Sequence, residues 1–290
     1  MSNLNFFITT ACNFLCFALL SLLLSDVIRS QSPDETYITS PNGGRVLFEG
    51  QIAPSYPILL FGDRKKENFD NNFYGELIIT PEVLLKMYRS QSRPVKSPSY
   101  MPKATFSVSW KSSSISMSPY FTIGHHSNGQ AGNPFIEDSI ADEKEINTES
   151  GSFATNFLEL GYRFSFSNAR NHVFGLSYQL HPVHGWWFRI DEDIKNIYGR
   201  KRLNYFYQYA GKNFQADLSY IKIYDEFELA PGVSSHIYSA TARIRIPIFK
   251  NLVWGFVNYY QGQDYYNIHF TEEVKQVRMG IAIHTGLIMK

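Results

Sequence analysis

Between residues 74 and 287 the chain returns again and again to a two-residue period in which one row is apolar and the other polar. In Ile237 to Ile246, Tyr238, Ala240, Ala242, Ile244 and Ile246 share one face, with Ser239, Thr241, Arg243 and Arg245 on the other. Phe174, Leu176, Tyr178 and Leu180 alternate with Gly175, Ser177, Gln179 and His181, and Val277, Met279, Ile281 and Ile283 with Arg278, Gly280, Ala282 and His284. Successive side chains of a strand point to opposite sides, so each stretch is a strand with one apolar and one polar face. An apolar row opposite arginines, repeated over segments of about ten residues, fits a closed barrel that presents its apolar row to lipid and its polar row to a lumen. A soluble all-β protein with a ligand cavity would carry the polar row outside.

The expected fold is therefore all-β, a transmembrane antiparallel β-barrel of about twelve strands. Strands are expected near 74–88, 102–112, 115–127, 153–167, 171–181, 202–210, 213–223, 236–247, 251–262 and 273–287. The connections after 88, 127, 181, 223 and 262 are long and those after 112, 167, 210 and 247 short, the alternation of external loops and periplasmic turns in outer-membrane barrels. An even count requires Arg45 to Asp63 to supply two strands or none, with Pro54 and Pro57 as a break; ten and twelve strands both satisfy it.

Composition supports the same environment. The 23 Phe, 19 Tyr and 4 Trp make 16% of the chain, and a membrane–water interface buries a tyrosine ring while wetting its hydroxyl. A net charge of +1 carries no electrostatic footprint for nucleic acid, which is not an expected partner. The apolar run from Asn5 to Leu24 reads as a secretory signal occupying residues 1–31, although no Lys or Arg precedes it. Both cysteines, Cys12 and Cys16, lie inside it, so a cleaved chain has no thiol to pair. Residues 32–44 read as a disordered segment and 45–290 as the barrel.

The segment Ile115 to Gly129 carries the chemistry. Alternation places His125 and Ser127 on the face of Ile115, Met117, Phe121 and Ile123, the lipid face, while His126 points to the lumen. On the next strand Asn156 lies on the side of Leu158, Leu160, Tyr162, Phe164 and Phe166, and Glu159 and Arg163 lie opposite. A serine hydroxyl needs a base, and a histidine base needs a group that fixes its tautomer; an asparagine carbonyl can do that. His181 and His184, beside Trp186 and Trp187, read as an interfacial belt rather than a zinc site.

The run His125-His126-Ser127-Asn128-Gly129 resembles the His-x-Ser-Asn-Gly motif of the outer-membrane phospholipase A family. Ser92-Arg93-Pro94-Val95 with Tyr100 and Pro102, Ser152 with Asn156, and Pro247 to Tyr266 followed by Val277 to Gly286 are similar to family stretches in the same order, covering roughly residues 74 to 287. The resemblance implies a bacterial outer-membrane barrel with its active site at the outer leaflet, hydrolysing acyl esters of phospholipids and lysophospholipids, calcium-dependent and active as a homodimer. Carried over, Ser127 is the nucleophile, His125 the general base and Asn156 the residue that orients it. The calcium ligands are the Ser92 and Gln130 carbonyls of one chain and the Ser152 hydroxyl of the other. The loop Gln130 to Gly151 is longer than the family's spacing, and Gln130 replaces a common arginine.

Two other functions fit parts of this pattern. An outer-membrane lipid A deacylase also uses a His-x-Ser-Asn motif but with a glutamate orienter; the candidate, Glu159, is turned by alternation toward the lumen. A passive pore would be lined by Arg163, Arg243 and Arg245 and would leave Ser127 dispensable.

Overall fold

The structure is a computed structural model that describes residues 35–42, 45–62, 72–90, 95–112, 114–137, 144–166, 168–169, 171–185, 188–211, 213–224, 238–249 and 252–283. The signal segment, Ser92, Trp186 and Trp187 lie outside the described residues.

Twelve antiparallel strands close into a barrel. They are β1 (Thr36–Asn42), β2 (Val46–Ile52 and Tyr56–Gly62), β3 (Asn72–Thr80 and Val83–Tyr88), β4 (Ser99–Tyr100 and Lys103–Lys111), β5 (Ile115–Ser127), β6 (Ala154–Phe166), β7 (His172–Leu180), β8 (Lys201–Ala210), β9 (Gln215–Tyr224), β10 (Tyr238–Phe249), β11 (Val253–Gln263) and β12 (Glu273–Ile283). Each pairs with its neighbours in sequence, and β12 closes on β1 from Thr36 opposite Ile283 to Asn42 opposite Val277. Closure leaves no edge open along the paired strands, the condition for placing sheet in lipid.

Two expectations change at the N-terminal end. Thr36–Asn42, read as disordered, is the first strand, because β12 on one side and β2 on the other offer it partners that its short polar sequence does not advertise. Val46–Ile52 and Tyr56–Gly62 form one bent strand, not two; the count of twelve is reached through β1. The strand ends that lead into the connections after β4, β6, β8 and β10 lie on one rim, and those that lead into the connections after β5, β7, β9 and β11 lie on the opposite rim; the connection after β1 is short and the one after β2 longer, which departs from the expected alternation.

Three prolines interrupt the ladder at one level. A proline has no N–H to donate, and the registers set Pro54 of β2 opposite Pro81 of β3, and Pro81 opposite Pro102 of β4. The row runs into β5, where the His125 N–H donates to the Pro102 carbonyl at 3.0 Å.

Inside, the barrel wall carries buried ion pairs. Arg278 donates to Glu49 at 2.5 Å, and Tyr37 and Tyr265 donate to the same carboxylate at 2.7 and 2.5 Å. Lys86 pairs with Asp264 at 2.7 Å, and Glu35 takes both Arg243 and Arg245, the latter also bound to Asp217. Arg163 stacks over Tyr120 with 4.5 Å to the ring centroid. All three arginines that a channel lining would use are thus engaged with neighbours. An apolar cap of Ile146, Phe153, Ile190, Ile194, Ile197, Tyr198, Ile268 and Phe270, drawn from the long connections, packs at the loop rim. Outside, Phe121, Ile123, Leu160, Leu176, Tyr178, Ile244, Met279 and Ile281 stand exposed, as an apolar row meeting lipid must.

Candidate active site

β5 and β6 pair without a register shift from Ile115 opposite Phe166 to Ser127 opposite Ala154, so Pro119 leaves the facing intact. Along β5 Tyr120, Thr122, Gly124 and His126 are buried while Phe121 and Ile123 are exposed, which puts the half-buried His125 and Ser127 on the outer face. Asn156 sits directly opposite His125. The hydrogen bond between His125 Nδ1 and Asn156 Oδ1 measures 2.8 Å.

A second contact assigns the proton. Asn156 Nδ2 donates to the Arg189 carbonyl at 2.9 Å. That carbonyl can only accept, so the NH2 end of the amide faces Arg189 and its oxygen faces the imidazole. His125 Nδ1 therefore carries the hydrogen, and in the neutral ring Nε2 keeps its lone pair. Nε2 is thus left as the acceptor, with Ser127 two residues on along the same face.

The long loop does not pull these strands apart, because Asn128 clamps its neck. Only 3% exposed, Asn128 donates to the Gly151 carbonyl at 2.8 Å and accepts from the N–H groups of Phe153 and Gln130 at 3.0 and 3.2 Å. Gly129 follows at φ +67°, the left-handed region that lets the chain turn directly after the strand. Ser152 N–H closes the neck further on the Gly132 carbonyl at 2.8 Å. The extra residues project beyond this neck as a small ribbon of Phe135–Glu137 paired with Lys144–Ile146. Gln130 and Ser152 thus stand at the two ends of one clamped loop beside Ser127; the third expected ligand, Ser92, lies outside the described residues.

The remaining candidates separate. Glu159 accepts from Tyr120 at 2.9 Å on the lumen side, away from His125. His181 is 2% exposed and bonds Thr155 Oγ1 through Nδ1 at 2.7 Å, whereas His184 is exposed; they share no site. Burial, with Arg202 and His126 nearby, holds the His181 imidazole well below the usual histidine range. Among the described residues no cluster of three or more His, Cys, Asp or Glu is arranged to hold a metal. Sequence reasoning missed Arg189 and the structural role of Asn128. A backbone carbonyl in a loop leaves no residue-type signal, while the Asn-Gly pair after a strand is an available sign of a clamped turn.

No protein-family model and no curated protein sequence matches this chain. Solved structures do. An active-site mutant of outer membrane phospholipase A from Escherichia coli is 12% identical with a TM-score of 0.59, over 91% of this chain and 95% of that one. A further structure of that phospholipase is 13% identical with a TM-score of 0.59, over 87% and 97% of the two chains. The Salmonella typhi outer membrane phospholipase dimer with bound calcium is 13% identical with a TM-score of 0.57, over 91% and 96%. The chain has the fold of an outer-membrane phospholipase A barrel.

Proposed function

We propose that this protein is an outer-membrane phospholipase that hydrolyses acyl esters of phospholipids and lysophospholipids at the outer leaflet. The observation that carries this reading is the His125–Asn156 hydrogen bond on the lipid-facing side, with Ser127 on the same face. Ser127 Oγ attacks the acyl carbonyl carbon of a lipid lying against the barrel, and His125 Nε2 takes the hydroxyl proton. Asn156 stabilises the imidazolium through the Nδ1 hydrogen. Collapse of the tetrahedral intermediate expels the lysophospholipid alkoxide, protonated by His125, and leaves an acyl-serine. Water, deprotonated by His125, then releases the fatty acid and restores Ser127. A substrate presented beside the face that holds both groups turns the attack into an intracomplex step.

The reading includes calcium and a homodimer. The Ser92 and Gln130 carbonyls of one protomer and the Ser152 hydroxyl of its partner are uncharged hard oxygens of the kind calcium takes, and the Asn128 clamp fixes the backbone of Gln130 three residues after Ser127. Bound there, the ion would supply positive charge against the developing oxyanion. The Salmonella typhi dimer with calcium supports this arrangement.

The test is mass spectrometry of products from mixed phospholipid and lipid A vesicles. The parent is expected to release lysophospholipid and fatty acid with calcium present, and to stop on addition of chelator. Ser127→Ala is expected to release nothing while keeping a folded barrel. Release of 3-hydroxy fatty acid from lipid A, or undiminished release by Ser127→Ala, overturns the assignment; release unaffected by chelator removes calcium from it.

A further inference from the structure

β7 ends at Leu180, opposite Leu158 of β6, so Ala154 to Phe157 lie beyond the end of their neighbouring strand. Arg189 to Asp191, from the connection between β7 and β8, occupies that place. Asp191 N–H donates to the Ala154 carbonyl at 2.9 Å, two residues from where the Arg189 carbonyl receives Asn156 Nδ2. Ile190 anchors the segment from the other side. Its N–H donates to the Pro182 carbonyl at 2.8 Å, and its side chain is fully buried in the apolar cap.

We infer that Arg189 to Asp191 is a positioning element for His125 and Asn156, in which the Arg189 carbonyl, set by the buried Ile190, decides which end of the Asn156 amide faces the imidazole. The inference rests on the hydrolase reading above and adds to it the device that sets the tautomer of its base. Without the Arg189 carbonyl the amide is free to turn over, and its NH2 then meets Nδ1, which must give up its hydrogen to accept. The hydrogen moves to Nε2, and the base faces the serine in its unreactive form. The same geometry explains why asparagine serves here and aspartate would not. A carboxylate at 156 accepts from Nδ1 equally well, but its second oxygen would oppose the Arg189 carbonyl with no hydrogen between them. The apolar cap is thereby coupled to the chemistry on the outer wall.

The experiment measures the rate at which an alkylsulfonyl fluoride labels Ser127, as a function of pH, in the full chain folded into detergent micelles. Labelling forms the Oγ–S bond, expels fluoride and passes the hydroxyl proton to His125, so it reports the base without lipid binding. Asn156→Asp is expected to lower the plateau rate by about 10²-fold, the loss that follows misplacement of a reacting group. Ile190→Ala is expected to lower it in the same direction, and Ile190→Val to restore it. Ile197→Ala, which opens the same cap seven residues beyond Ile190, is expected to label at the parent rate. Parent-like labelling by Asn156→Asp overturns the inference even if Ile190→Ala fails to fold, and equal losses in Ile197→Ala and Ile190→Ala overturn it by reducing the effect to cap stability. A parent whose Ser127 does not label overturns the hydrolase reading itself, whereas a labelled parent with unaffected variants overturns the positioning element alone.

Discussion

His125 and His126 are one peptide bond apart and have nothing else in common. His125 lies half-buried on the outer wall with a partner that assigns its proton. His126 is 8% exposed on the inner wall, its ring edge-on to Phe153 at 4.7 Å, and its buried Nε2 has no hydrogen-bond partner among the described residues. The contrast extends to the two faces. Outside, three polar side chains interrupt an apolar row at the loop end of β5 and β6. Inside, the buried charges Lys86, Arg245 and Arg278 are each paired with a carboxylate. On the proposed function, polarity where the solvent is lipid serves chemistry, whereas polarity on the closed inner wall serves the fold.

Removing each histidine in turn tests the contrast between the two walls most directly. His125→Ala should lower lipid hydrolysis by about 10²–10⁴-fold, the contribution of a positioned base, with an unchanged denaturant midpoint; an equal loss in His126→Ala would erase the distinction. Next in size, Glu49→Leu leaves Arg278 buried without its carboxylate and should cost about 3–5 kcal/mol in unfolding titrations, while folded molecules keep the parent's turnover. His126→Ala should cost about 1–3 kcal/mol of stability with the activity of folded protein intact.

The smaller effects sharpen the boundary between the walls. The lowered folded-state affinity of His181 for a proton means that the unfolded chain binds more protons once pH falls below the ordinary histidine value of about 6.5. Stability is therefore unaffected by this group above that pH and declines as acid is added below it. His181→Phe should flatten that decline in pH-dependent unfolding. Glu159→Gln should leave hydrolysis at the parent rate, because the carboxylate is held by Tyr120 on the lumen side; a large loss would restore a glutamate orienter.

Much of this was legible locally. Parity along Phe121, Ile123, His125 and Ser127, and along Asn156, Leu158 and Leu160, assigns a face to each residue, and the structure keeps every one of those facings. The first strand was not legible, since Thr36–Asn42 holds too few apolar residues to stand out and gains its conformation from β12 and β2. Pro54 is visible as a break, Pro81 lies inside an expected strand, and the alignment of both with Pro102 into one row ending at His125 belongs to the registers.

Which wall of the barrel each side chain occupies can be read from the residues alone, because a strand's period of two is a property of the backbone and needs no neighbour. Which atoms meet is a property of the closed barrel. That His125 faces Asn156 across a 26-residue connection follows from the Asn128 clamp and the pairing of β5 with β6. That the amide turns its oxygen inward follows from a carbonyl in a third segment. Register and loop closure are set by the whole sheet, and no stretch of residues carries them alone.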